Sequence, residues 1–357
     1  MEFVRSNENR GLKFWNHSDN YLKPAGKKRV QWVDIAKAIG IIAVVIGHLP
    51  TTDLLNNTIY WWHMPLFFII GGFFIKPVSA DKWTKFIKKR IFPQLKDYFL
   101  AGISLIFLFT FIHQKDMNFV MDRFRRLFFF GGQSLNYYVT TFWFVEVYII
   151  SLIVVAIIIS VFKNPLVQLG IAFGLLVVGT SYQHVSLTFE GYKMLPWDAD
   201  VALITIFYML IGYLGFHYFN QMVKNKYVVL GFLTVAALLI WGQAANLFNF
   251  KYILKLHLIQ STLPSAFTVV VFPLVFSITI FGISYLISKL VIGQTFVLIG
   301  KHTMSVMYMH KFLIDFCSIN NIDNIIFKIV IAVLVPVLVS IIFQTYLERR
   351  KVASLSA

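Results

Sequence analysis

The sequence predicts an all-α integral membrane protein with about ten transmembrane helices and both termini in the cytoplasm. Three observations carry that prediction. Of 357 residues, 58% are hydrophobic and only 13% are charged, against roughly a quarter charged in an ordinary soluble domain. Mean hydropathy is +0.72, and apolar stretches of roughly twenty residues, enough to cross a bilayer, recur along the chain. The 32 Lys and Arg outnumber the 16 Asp and Glu to give +16, and their placement orients the chain. An ordinary soluble enzyme is excluded. The single cysteine, Cys317, leaves neither an internal disulfide nor a thiolate metal site, and no metal is expected.

Residues 1–29 are polar and mixed in charge, without the ordered parts of a signal peptide, and are read as a cytoplasmic tail. The transmembrane domain then occupies 30–347, and 348–357 form a second cytoplasmic tail. Spans are expected at 31–49, 57–75, 95–113, 139–162, 165–181, 199–219, 226–246, 264–288, 295–316 and 323–346. Residues 81–92 put Trp83, Phe86, Ile87 and Ile91 on one face with lysines around the other, the pattern of a separate amphipathic helix at the cytoplasmic interface. Residues 182–198, with His184, Glu190 and Asp198, are expected to form an outer loop.

Cytoplasmic loops retain positive charge. With ten spans and an internal N-terminus, 21 Lys and Arg fall inside, seven outside and four within helices. That ratio puts the chain in the cell membrane as a multi-pass protein whose partners include the lipid bilayer. It also accounts for most of the excess charge, so nucleic acid is not a partner. Arg123, Arg125 and Arg126 are the exception: an outer cluster that topology does not explain, read as a solvated loop or a contact with lipid phosphates.

A charged side chain at the bilayer centre costs roughly 2.5–3.5 kcal/mol on insertion scales, so each one needs a partner. In the first span Asp34 and Lys37 are spaced to pair. Lys37 and His48 are eleven residues apart, which returns to within about 20° on a helix and places them on one stripe about 16 Å long. His63 falls at a similar depth on the second span, with Pro65 loosening the helix after it and Gly71-Gly72 allowing close packing. Glu146 is a candidate acid or base in the fourth span. Lys301 and His310 share the ninth, on opposite faces if that helix is straight. Three histidines at one depth with Glu146 nearby point to a reaction centre or a proton path.

These residues resemble the membrane acyltransferase-3 family, particularly its small sugar O-acetyltransferases similar to fucose 4-O-acetylase. Arg29 to His48 looks like the family's first helix, in which a basic residue, Lys37 here, precedes histidine by ten intervening residues. His63-Met-Pro-Leu-Phe-Phe-Ile-Ile-Gly-Gly72 and Ile299-Gly-Lys-His-Thr303 with His310 look like its second and late signatures. Arg90 departs from the family's paired arginines, with Ile87 where the first would stand. The resemblance implies acyl transfer from cytoplasmic acetyl-CoA, a cosubstrate and not a permanently bound cofactor, to a hydroxyl of an envelope saccharide. Lys88, Lys89 and Arg90, beside Lys82 and Lys85, form the densest cationic stretch for an anionic acyl-CoA. Asp34, Lys37 and Lys301 are grouped with this donor-binding set. His48 is expected to act as general base, with His63 or Tyr308 holding the oxyanion, either directly or through an acyl-histidine. A saccharide transporter or flippase with a proton relay fits the buried charges too, but no two-fold repeat of broken spans supports it. A sensor or structural membrane protein explains the polar stripe least well.

Overall fold

The computed structural model describes residues 29–184, 188–189 and 191–356. Apart from Arg29, the expected N-terminal tail lies outside the described residues, as does Glu190. The chain is helical almost throughout. It opens with α1 (Gln31–Gly47), followed by α2 (Asp53–Tyr60) and α3 (His63–Gly72). α4 (Ala80–Ile112) and the short α5 (Met117–Arg125) come next. They lead to α6 (Trp143–Val161), α7 (Pro165–Ser181), α8 (Ala199–Met222) and α9 (Lys226–Ala244). A hairpin of β1 (Phe250–Ile253) and β2 (Leu258–Ser261) precedes α10 (Ser265–Ile287). α11 (Gly293–Lys301), α12 (Thr303–Ile319) and α13 (Ile325–Ser356) complete the chain.

Among the described residues, six helical stretches are long and apolar enough to cross a membrane: Ala80–Ile112, Tyr137–Val161, Pro196–Met222, Lys226–Ala244, Ser265–Ile287 and Ile325–Leu347. The other four expected spans are shorter or broken. α1 and α7 have 17 residues each. The second span divides into α2 and α3 at Trp61-Trp62, and the ninth into α11 and α12 at His302. The first break gives Pro65 a different explanation from the one expected. It stands in the first turn of α3, where a missing N–H removes no helical hydrogen bond, and so it does not loosen an unbroken helix.

One further expectation is corrected. Residues 81–92 are not a separate interfacial helix but the start of α4, continued into the membrane-length part through a π-turn at Ile87–Ile91. The apolar face found there is one side of a longer helix. The last helix runs on to Ser356, so the segment 348–356 expected as a cytoplasmic tail is helical.

Burial sorts the helices. α1 is buried nearly all round, from Trp32 to Val45, as a helix at the centre of a bundle must be. In the membrane-length windows, 61% of residues are buried in the stretches containing α6, α8 and α10, against 17% in α9 and 22% in α13. The former are inner helices and the latter present apolar side chains outward. α3 and α8 cross in near contact: a Cβ added at Gly72 would stand 1.9 Å from the Met209 carbonyl, and one at Gly212 equally close to that of Ile69. This is the close packing expected of Gly72, with small residues letting backbones touch.

Candidate active site

His48 sits just past the end of α1, its N–H still bonded to the Val45 carbonyl at 3.1 Å. Its ring stacks on that of His310 in α12, with centroids 5.3 Å apart and planes 27° from parallel. His63, the first residue of α3, lies within electrostatic reach of His48 and packs edge-on to Tyr60, whose hydroxyl donates to the Gly47 carbonyl at 3.3 Å. The structure thus gathers all three expected histidines.

Backbone carbonyls fix two of their tautomers. His310 Nδ1 lies 2.8 Å from the Val306 carbonyl and His63 Nδ1 lies 2.7 Å from that of Ile59. A carbonyl only accepts, so each Nδ1 carries the proton and each neutral ring turns a basic Nε2 to its surroundings. His310 Nε2 is buried without a hydrogen-bond partner. A neutral His63 in this tautomer cannot donate to an oxyanion. Tyr308, the other expected donor, packs its ring on Phe142 at 4.7 Å, on a different side of α12 from His310. Lys311, half-buried and within electrostatic reach of His48, is the donor the sequence reading did not single out.

Glu146 belongs to a neighbouring construction. It is fully buried at the start of α6, and both oxygens are engaged: one accepts from the Tyr98 hydroxyl, the other from the Gly132 N–H at 2.7 Å. Gly131 and Gly132 have φ of 63° and 52°, in the left-handed region that glycine tolerates. A Cβ on Gly132 would lie 2.0 Å from Asp198 Oδ1. Asp198, also fully buried, accepts from the Gln133 N–H at 3.0 Å. Glu146 and Asp198 therefore clamp the Gly131-Gly132 turn. Lys255, from the hairpin, donates to the Leu135 and Thr140 carbonyls and the Thr140 hydroxyl at 2.9–3.0 Å. Burial pushes its ammonium below the ordinary lysine range, against the pull of Asp198 and Glu146. Nearby, His257 bridges Asp200 (3.0 Å) and the Gly179 carbonyl (2.5 Å), tying the hairpin to α7 and α8.

The expected donor-binding residues lie at the other end of α1. Asp34 and Lys37 pair at 2.7 Å. Gly300 meets them so closely that an added Cβ would lie 1.9 Å from the Asp34 carbonyl, and Lys301 beside it is exposed. Phe73 packs on Trp32 at 6.0 Å, and the carbonyl of the adjacent Phe74 accepts from Arg90 at 3.2 Å. There a cleft of about 240 Å³ carries Lys76, Lys82, Lys85, Lys89 and Arg90 on its walls. Lys88 is exposed but does not line the cleft.

The stripe from Lys37 to His48 is not open. Ile41 and Val44, between them on the same side of α1, are 0% and 3% exposed, and at Gly40 the helix runs against Leu66 and Phe67 of α3. Apolar side chains on a central helix are packed shut by the same burial that holds the bundle together.

A helical bundle of membrane-length apolar helices, with a histidine cluster at one end of α1 and a cationic cleft at the other, defines the class as a membrane-embedded helical protein. The family model described as an acyltransferase domain, acyltransferase 3, matches residues 30–345. The chain belongs to the membrane acyltransferase-3 family, and it is an acyltransferase. No curated protein and no solved structure matches it.

Proposed function

We propose that the protein is an O-acetyltransferase of the cell membrane, with both termini cytoplasmic, that moves an acetyl group from cytoplasmic acetyl-CoA to a hydroxyl of an envelope saccharide. The stacked His48–His310 pair, with His63 beside it, carries this reading. The cationic cleft supports an anionic donor, because five positive side chains on its walls suit the phosphates of coenzyme A.

In the proposed step His48 takes the proton from a sugar hydroxyl as its oxygen attacks the thioester carbonyl. The oxyanion is held by Lys311, and its collapse breaks the C–S bond and releases the thiolate of coenzyme A. The proton on His48 then neutralises that thiolate. His310 Nε2 accepts from a neighbouring hydroxyl and orients the ring. Glu146 positions the Gly131-Gly132 turn and takes no proton from the substrate. A route through an acyl-histidine differs only in splitting the transfer into two steps.

The test is purified protein in lipid vesicles supplied with labelled acetyl-CoA and candidate envelope sugars. Sugar-dependent release of coenzyme A is expected in the native protein and is lost about 100-fold or more in His48→Ala, with unchanged yield and elution. Full activity in that variant overturns His48 as the base. Sugar movement across the vesicle without release of coenzyme A overturns acetyl transfer.

A further inference from the structure

Asp315 and the two side chains that hold it have no part in the proposed step. Asp315 lies on α12 four positions after Lys311. On a helix that spacing makes the two neighbours, one turn apart on the same side, and Lys311 is within electrostatic reach of the carboxylate. The other groups that face Lys311 are basic: His310 on its own helix, His48 past the end of α1, and Lys255 from the hairpin. A lysine has a flexible four-carbon stem, and a second ammonium nearby repels the first. A carboxylate fixed one turn away supplies the counter-charge that keeps Lys311 in one place.

Asp315 is itself fixed from two other elements. Its Oδ2 accepts from the Tyr138 hydroxyl at 2.5 Å and pairs with His113 Nε2 at 2.8 Å. His113 follows the last residue of α4, and its ring stacks on Phe109 with centroids 4.2 Å apart. Tyr138 stands in the turn Tyr137–Val139 before α6 and packs edge-on to Phe109 and to Phe312 of α12. Lys255 donates to the Leu135 and Thr140 carbonyls on either side of that turn, so the buried hairpin lysine also sets where Tyr138 stands. A hydroxyl and an imidazole with one proton, on Nε2, orient a carboxylate without cancelling its charge.

We propose that Asp315 is a positioning residue for acyl transfer: it holds the Lys311 ammonium where the oxyanion forms, while His113 and Tyr138 hold Asp315. This role rests on the acyl-transfer reading, in which Lys311 stabilises the oxyanion. The test is a double-mutant cycle in lipid vesicles, read as kcat for sugar-dependent release of coenzyme A. Lys311→Gln is expected to lower kcat about 100-fold and Asp315→Asn about tenfold, each with KM for acetyl-CoA unchanged. The Asn variant keeps an oxygen for Tyr138 and His113 and removes the charge. In the double variant the loss is expected to equal that of Lys311→Gln alone, because Asp315 acts through Lys311. Asp315→Glu, which keeps the charge, is expected to recover most of the native kcat. Losses that multiply in the double variant overturn the proposal, since a merely structural effect of Asp315 does not pass through Lys311. So does native kcat in either single variant, or a loss that Asp315→Glu leaves unrelieved. A native chain that releases no coenzyme A with any sugar removes the acyl-transfer reading, and the role of Asp315 with it. Native turnover with multiplied losses removes the role of Asp315 alone.

Discussion

The two ends of α1 hold ionisable groups by opposite means. At the Asp34 end, Lys82, Lys85 and Lys89 are exposed around an open cleft, hydrated and each replaceable at small energetic cost. At the His48 end, His63 and His310 are buried, and backbone carbonyls fix the proton on each ring. One end presents summed charge, while the other holds single atoms in fixed places. A group of the first kind degrades gradually on mutation, and a group of the second kind fails at one residue.

The largest expected effect tests the second kind. His310→Ala, which removes the acceptor that orients the sugar hydroxyl, should lower kcat by about 100-fold while leaving KM for acetyl-CoA unchanged, as measured by steady-state release of coenzyme A. A raised KM with kcat preserved would move His310 out of the chemistry. Glu146→Gln comes next and should act on stability more than on rate. The amide oxygen keeps the Gly132 N–H, while the Tyr98 hydroxyl turns to the Leu127 carbonyl and accepts from the new amide N–H, so charge-assisted bonds give way to neutral ones at a cost of about 1 kcal/mol. Thermal unfolding followed by tryptophan fluorescence measures it, and a native Tm with abolished turnover would make Glu146 a reacting group after all. The double change Lys85→Gln and Lys89→Gln should raise KM for acetyl-CoA about tenfold at low salt, with little effect at high salt, because exposed charges are screened. The smallest effect is expected of Lys88→Gln, whose side chain does not line the cleft. Its KM should stay within about twofold, and a rise matching the double change would show that charge density alone, and not the cleft, recruits the donor.

Much of this was legible in the sequence, for reasons that differ by residue. His48, His63, Glu146 and His310 stand out because an ionisable group in an apolar run needs an explanation wherever it folds. The Asp34–Lys37 pair followed from helical spacing alone. The partners of Glu146 did not, because Tyr98 is 48 residues away and the turn that supplies Gly132 is set by tertiary contacts. The hairpin was missed because its four-residue strands carry too little alternation to stand out from flanking apolar helices. Without it, Lys255 read as a loop charge on the way to α10, not as a buried tie. The second and ninth spans looked continuous because hydropathy averages over a break of one or two residues at Trp61-Trp62 or His302.

The packed stripe along α1 also bears on what the protein does while idle. Ile41 and Val44, with Leu66 and Phe67 across from Gly40, form a wall of hydrocarbon between the cleft and the histidines. In the proposed reaction a thioester held at the cleft stays out of reach of His48 until that wall parts, and protons gain no aqueous path along α1 between the cleft and the histidines. The bundle as packed is thus an insulator between the two ends of α1.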